Sequence, residues 1–305
     1  MESILVIIDP TADDSPALDR ARWYAARAEA SIELFICEYD QYLAGERFFD
    51  TKSLQRARED LLDRRRASLE KLAKPLRADG IDVTVDVRWD HPLHEGLVRK
   101  IKDASPDLVF KDTHYHIALR RSIFSNTDWH LIRDCPVPLW LVKPHDNAAI
   151  KSIAVAVDPT HERDKPAALD RKLLATGSAV AEVADAGLFV IHAFDPAPVY
   201  AVSADAMTVP IAEPLGEFVD ELRQQHRNAV KDLLAATRHT DLETRIEDGD
   251  IREVLTGILT DTGADLLVMG AVSRSGLQRL ALGSTAERVL DFVPCDLLIV
   301  KPDVS

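Results

Sequence analysis

An internal repeat limits the folds open to this chain more than any other feature of its sequence. SILVIIDPT, from Ser3 to Thr11, recurs as SIAVAVDPT, from Ser152 to Thr160. Each half also ends on Val-Lys-Pro, at residues 142–144 and 300–302. A repeat of about 150 residues is long enough to bury a core of its own. The sequence therefore predicts two similar domains in tandem, residues 1–145 and 151–305, joined by a short linker that starts with polar residues.

Composition excludes several classes of protein. The 305 residues carry a formal net charge of −14, which argues against a nucleic-acid surface because such surfaces need clustered lysine and arginine. Cys37, Cys135 and Cys295 are single and widely spaced, so we expect buried thiols rather than disulfides or a zinc motif. Apolar runs are shorter than the ~20 residues of a membrane span, and the strand-like residues 4–8 leave no room for a signal peptide. We expect a cytoplasmic protein without a membrane span.

Short apolar runs alternate with longer stretches of helical periodicity in both halves. We expect strands near 4–8, 32–38, 82–88, 107–111 and 138–142, and again near 152–157, 187–193, 242–246, 265–269 and 296–300. The longest predicted helix spans residues 52–78. Continuously apolar strands separated by helices are typical of parallel sheets covered by helices on both faces. The predicted fold class is therefore α/β in each half.

A glycine-containing stretch near the end of the chain is the main candidate for ligand binding. The apolar run Leu266 to Met269 stops at Gly270, a loop extends to Gly283, and Ser284 and Thr285 then precede a helical pattern. Glycine allows a backbone to approach a ligand closely, and the first N–H groups of a helix attract anions. Two interpretations remain open: the loop binds a phosphate group, or a hydroxyl group only caps the helix.

These residues resemble the nucleotide-binding pattern of the universal stress protein family, which is Gly, two residues, Gly, nine residues, Gly and then Ser or Thr. Gly270, Gly283 and Ser284 match this pattern, whereas Ser273 takes the position of the middle glycine. The similarity covers nearly the whole chain and indicates the tandem-domain type of the family. It implies two Rossmann-like domains, each with a five-stranded parallel sheet of order 3-2-1-4-5.

The resemblance also implies an ATP site in the second half, with or without Mg²⁺. Asp158 follows the first strand of that half, so the implied order places it opposite Gly270 across the ligand crevice. Asp before Pro is also an ordinary turn starter, and that interpretation stays open. Carried over by position, Asp158 and the backbone of Ala193 meet adenine and Met269 packs near the base, while the phosphates meet the loop residues Gly270, Ser273, Gly283, Ser284, Thr285 and Ala286.

The first half differs at the equivalent loop. It reads KDTHYHIA at residues 111–118, and no glycine lies between Gly96 and the end of that domain. Because bulky residues cannot form a phosphate loop, we predict that the first domain is degenerate for nucleotide. The resemblance leaves it a role in interaction or in binding a different ligand.

Five histidines of the first half suggest a metal site: His91, His94, His114, His116 and His130. In the implied strand order, however, the ends of strands three and four lie about 14 Å apart. A single ion with ligand bonds near 2 Å does not span that distance. We therefore favour hydrogen-bonded loop histidines over a metal site, with a role in a non-nucleotide pocket as a further alternative.

No catalytic motif is present, since the chain lacks a P-loop, a G-x-G-x-x-G after the first strand, a G-x-S-x-G elbow and an H-E-x-x-H pair. We therefore predict a stress-response protein that binds ATP as a switch rather than an enzyme, with slow ATP hydrolysis ranked last. Segment 195–215 contains four prolines and many apolar residues. We favour a packed flap for this segment, and covering the crevice, packing against the other half and binding an apolar ligand are the roles that stay open. The alternative function is a small-molecule or lipid-like carrier or scaffold with a decayed nucleotide site.

The last strand of each half is an edge strand in the implied order. Strands 138–142 and 296–300 are therefore expected to pair with each other, which would make the chain an intramolecular pseudo-dimer. A homodimer formed through other faces stays open.

Overall fold

The structure is a computed structural model, and it describes residues 1–12, 14–44, 51–116, 121–123, 125–144, 149–160, 168–196, 215–270 and 290–302. The chain divides into two compact units, Met1–Ala149 and Ile150–Ser305. Each unit contains a parallel sheet with helices between its strands, so the predicted α/β class is confirmed.

The first unit contains a five-stranded parallel sheet and a short hairpin. Its strands are β1 (Ser3–Ile7), β2 (Ser31–Glu38), β3 (Val83–Trp89), β4 (Leu108–Asp112), β5 (His114–His116), β6 (Arg121–Ile123) and β7 (Leu139–Val142). Its helices are α1 (Pro16–Ala28), α2 (Gln41–Ala44), α3 (Thr51–Ala78), α4 (Leu93–Ala104) and α5 (Asn126–Asp134). Parallel pairing gives the order β3-β2-β1-β4-β7. Strands β5 and β6 pair antiparallel, and the sequence did not predict this hairpin.

The second unit repeats this architecture. Its strands are β8 (Ser152–Ala156), β9 (Gly187–Phe194), β10 (Glu243–Asp248), β11 (Leu266–Gly270) and β12 (Asp296–Val300). Its helices are α6 (Ala168–Ala184), α7 (Leu215–Thr237) and α8 (Ile251–Thr262), and a 3-10 turn spans Leu290–Phe292. Parallel pairing gives the order β10-β9-β8-β11-β12.

Burial explains why these segments form strands. All residues of β7 and β12 are buried, as expected for strands covered on both faces. In the first unit the ring of Trp140 lies 4.9 Å from Phe110 and 5.9 Å from Tyr24, which forms an aromatic centre of the core. The ten strands of the parallel sheets begin and end within two residues of the predicted bounds.

Other predictions concern the thiols and the membrane. The three cysteines are buried and lie outside any disulfide, as the sequence predicted. Among the helices in the described ranges, none is long and apolar enough to cross a membrane.

A glycine allows α6 to lie close to the sheet of the second unit. A Cβ atom added at Gly177 would lie 2.6 Å from Cγ2 of Val155 in β8. Val155 is fully buried in the central strand and its branched side chain has little freedom to move. The contact between α6 and β8 therefore requires glycine at this position.

We predict that Gly177→Ala destabilises the protein although alanine favours helices. Overpacking costs about 1–3 kcal/mol, which exceeds the gain of about 1 kcal/mol in helix propensity. The matched control is Gly257→Ala in α8, where an added Cβ meets no atom within 4 Å. It is expected to raise the free energy of unfolding by about 0.5–1 kcal/mol. Denaturant unfolding of both variants tests this, and an equal effect of the two substitutions would contradict it.

Candidate functional site

The carboxyl ends of β8, β9 and β11 form the candidate site in the second unit. Strand β8 pairs with β9 on one side and with β11 on the other, all parallel. Asp158 and Ala193 each lie two residues beyond the registered pair Ala156 and Ile191. Met269 and Gly270 end β11. The structure therefore brings Asp158, Ala193 and Gly270 to one edge of one sheet.

Asp158 has a structural role that does not depend on a ligand. Thr160 Oγ1 donates to Asp158 Oδ1 at 3.3 Å, and the Asp158 N–H donates to Oδ1 of the buried Asp170 at 3.1 Å. The first unit repeats the turn, since Thr11 donates to Asp9 Oδ1 from its N–H at 2.8 Å and from its Oγ1 at 2.6 Å. Asp158 therefore starts a turn, and its predicted contact with adenine stays a prediction.

Gly270 also lies in close contact with a neighbouring helix. A Cβ atom added there would lie 2.9 Å from Cδ2 of Leu169 in α6. Met269, one residue earlier, is buried in the sheet, and Ala193 is half-buried. The glycine that ends β11 therefore has a structural reason besides the predicted approach to a ligand.

A pair of buried histidines next to this edge was missed from the sequence. His192 Nδ1 lies 2.9 Å from the Val157 carbonyl oxygen, and its Nε2 lies 2.7 Å from His226 Nδ1. Because a carbonyl oxygen only accepts, we assign the hydrogen of His192 to Nδ1 and let His226 donate to Nε2. The ring of Phe194 stacks on His226 at 4.0 Å. Helix α7 is therefore connected through His192 to Val157, the residue before Asp158.

The sequence offered one signal for this pair, because His192 interrupts the apolar run of β9 and buried polar groups need partners. The remaining predicted residues of the loop, Ser273, Gly283, Ser284, Thr285 and Ala286, lie in residues 271–289, outside the described part of the chain. Most of the predicted flap, residues 197–214, also lies outside it.

The corresponding edge of the first unit is occupied by charged side chains. Strand register places Asp112 where the second unit has Gly270. Its carboxylate accepts from Ser15 Oγ at 2.7 Å and from the Ala17 N–H at 2.6 Å. Burial raises the pKa of Asp112 above its ordinary value despite these two donors. The N-terminus of α1, which would suit an anion, is therefore bonded to the protein's own carboxylate.

A buried ion pair lies beside Asp112. Lys111 Nζ is 2.6 Å from Oδ1 of Asp128 in α5, and the Asp128 side chain is fully buried. The other carboxylate oxygen of Asp128 accepts from the Ser125 N–H at 2.7 Å and from Ser125 Oγ at 2.9 Å, which caps α5. The register position of Lys111 in the second unit is Met269. Two charged side chains thus stand where the second unit has a thioether and a glycine.

Three of the five histidines named above, His91, His94 and His130, form ring stacks, and the side chains of His114 and His116 lie outside the described part of the chain. His91 stacks on Tyr39 with ring centroids 4.0 Å apart, and His94 of α4 stacks on His130 of α5 at 3.7 Å. The estimate from strand spacing did not foresee the second contact, because these two residues lie on neighbouring helices. Within the described ranges, no group of three or more His, Cys, Asp or Glu side chains is placed to hold a metal ion.

Comparisons with known proteins agree with the architecture. The model of the "Universal stress protein family" matches residues 1–143 and 149–301. Universal stress protein E of Escherichia coli K12 is 32% identical over 302 residues, which cover 99% of this chain and 94% of that protein. A homolog from Haemophilus influenzae is 24% identical over 306 residues, covering 99% of this chain and 97% of that protein. The chain belongs to the universal stress protein family, with two copies of the family domain in tandem.

Solved structures show the same fold. A functionally unknown protein from Pseudomonas aeruginosa PAO1 superposes with a TM-score of 0.74 at 25% identity, covering 99% of this chain and 93% of that one. A universal stress protein from Archaeoglobus fulgidus gives a TM-score of 0.64 at 14% identity, with 98% of each chain covered.

We predict that Lys111→Met strongly destabilises the first unit, because it leaves the Asp128 carboxylate buried without its cation. The expected loss is about 3–5 kcal/mol of unfolding free energy. Adding Asp128→Asn should recover much of it, since the amide is neutral and its oxygen still accepts from Ser125. Denaturant unfolding measures both variants. An equal stability of the single and double variants would contradict this role of the pair.

Proposed function

We propose that the second unit binds an adenine nucleotide, ATP, at the carboxyl ends of β8, β9 and β11, as a switch in a stress response rather than as a catalyst. The observation that carries the proposal is the placement of Asp158, Ala193 and Gly270 at one sheet edge. In open α/β sheets, ligands bind in the crevice beyond the carboxyl ends of the strands, at the point where the strand order reverses. Membership of the family, together with the glycine and serine pattern that begins at Gly270, supports the same ligand.

Asp158 has the chemistry to hold the nucleoside. A carboxylate has about four lone-pair sites and accepts from more than one donor, and Thr160 Oγ1 donates to Oδ1 of Asp158. A ribose hydroxyl and the adenine amino group are donors of the kind that such a carboxylate accepts. The backbone of Ala193 lies at the same level of the sheet and can bond the edge of the base.

The phosphates belong, in this proposal, to the loop after β11. Ser273 and Gly283 would supply backbone N–H groups. Residues 284–286, where the sequence predicts the start of a helix, would add the hydroxyls of Ser284 and Thr285 and the N–H of Ala286. Mg²⁺ would supply positive charge to the phosphates and needs few ligands from the protein.

The buried histidine pair connects the proposed nucleotide site to helix α7 by hydrogen bonds. Val157, which precedes Asp158, accepts from His192, and His192 bonds His226 in α7. A ligand that moves the turn at Asp158 would therefore alter the bonding of α7, the helix that follows segment 197–214. Such coupling requires that the nucleotide bind the protein with different affinities in two arrangements of helix α7.

The first unit does not share this function in our proposal. At the equivalent edge the carboxylate of Asp112 accepts from the Ala17 N–H at the start of α1, and Lys111 is paired with the buried Asp128. The donor and the cation that could attract a phosphate are therefore already bonded within the protein. We therefore expect one nucleotide for each chain.

Calorimetric titration of nucleotide-stripped protein with ATP and Mg²⁺ tests the proposal. We expect saturable binding with one site for each chain, and a loss of at least about tenfold in affinity for Asp158→Ala. The matched control is Asp9→Ala, which removes the same turn-starting carboxylate from the first unit and should leave the affinity unchanged. An equal loss in the two variants would contradict the assignment to the second unit.

We further predict that the loop variants act in opposite directions. Ser273→Gly should strengthen ATP binding because glycine allows closer backbone approach, whereas Gly283→Val should weaken it. The same titration measures both. If neither the native protein nor Ser273→Gly binds ATP, the nucleotide proposal is wrong. An apolar compound found by mass spectrometry of organic extracts would then favour the carrier alternative.

A further inference from the structure

Two stacked histidines join helices α4 and α5 of the first unit. His94 from α4 and His130 from α5 stack with ring centroids 3.7 Å apart and planes 11° apart. Arg133 Nη2 lies 2.5 Å from His130 Nδ1. A guanidinium group only donates, so Nδ1 accepts and the hydrogen of the neutral ring is assigned to Nε2. A proton on Nδ1 would place two donors against each other and break this contact.

The charged neighbours of His130 favour its neutral form. Among described residues, the titratable and charged groups that face it are His94 from α4 and Arg133 and Asp134 from α5. Burial first, then His94 and Arg133, lower the pKa of His130, while Asp134, whose Oδ2 lies 3.8 Å from His130 Nδ1 and also accepts from Arg133, opposes them. Protonation of His130 would therefore add a cation beside a guanidinium group and a second imidazole.

Helix α5 carries a group that must stay buried. Asp128, two residues before His130, is fully buried and pairs with Lys111 at the end of β4. The Ser125 capping box fixes the start of α5, and the stack of His130 on His94 attaches the second half of α5 to α4. Movement of α5 away from α4 would therefore expose the ion pair at the carboxyl edge of the first unit's sheet.

We propose that His94, His130 and Arg133 form an acid-sensitive latch that holds α5 on α4 at neutral pH and releases it on acidification. The sign follows from the lowered pKa of His130. The stabilising contribution is complete above the ordinary histidine pKa of about 6.5 and is lost as the pH falls through the lowered value. The latch lies in the first unit and does not depend on nucleotide binding. It gives this unit a signal of its own, a fall in pH.

Hydrogen exchange of the full chain, followed by mass spectrometry at about pH 7.5 and about pH 5.5, tests the latch. After correction for the intrinsic pH dependence of exchange, peptides covering Asn126–Asp134 should exchange several-fold faster at the lower pH. His130→Gln keeps an oxygen that accepts from Arg133 but takes no proton, so this variant should lose the acid response. The control His239→Gln, in the second unit, removes a histidine bonded to Ser178 and should respond as the native protein does.

Two further variants test the mechanism, one by exchange at neutral pH and one by titration. His130→Lys places a permanent charge in the stack, so α5 should exchange fast even at neutral pH. Arg133→Met removes the neighbouring cation, so the pKa of His130 measured by NMR should rise towards its ordinary value. The latch is wrong if α5 of the native protein exchanges equally at both pH values. It is equally wrong if His130→Gln keeps the acid response.

Discussion

The pairing of the central strand on both of its sides is the constraint on which the rest of each unit depends. Strand β8 hydrogen-bonds to β9 and to β11, and all three run parallel. Parallel strands end at one edge. The chain passes from β8 to β9 on one side and from β11 to β12 on the other, so a crevice forms at the carboxyl ends between β8 and β11. Asp158, Ala193 and Gly270 lie together for that reason, whatever side chains the sequence supplies there.

The two units therefore share a backbone arrangement and differ in the chemistry placed on it. Both begin their crevice with an aspartate that bonds a threonine two residues later, Asp9 in one and Asp158 in the other. The first unit then ends β4 in Lys111 and Asp112, whose charges are met by α5 and by the start of α1. The second ends β11 in a glycine. One copy of the duplicated domain has filled this place with its own charged groups, and the other supplies the proposed nucleotide site.

The sequence predicted the strands well because buried parallel strands read as continuous apolar runs. It predicted the edge that holds Asp158, since strand ends follow from strand order. The β5–β6 hairpin was missed because its strands are too short to show a period. The contacts of His94 with His130 and of His192 with His226 depend on how helices pack, which strand spacing does not describe. The sequence thus predicted which residues lie at the edge of the sheet, but it did not predict the histidine pairs beside that edge.

Photo-crosslinking with 8-azido-ATP, followed by digestion and mass spectrometry, tests the central claim most directly because it reports which unit holds the nucleotide. The account predicts adducts only within residues 150–305, prevented by excess ATP and absent from the Asp158→Ala variant. Adducts within residues 1–149, or labelling that excess ATP does not reduce, would contradict it.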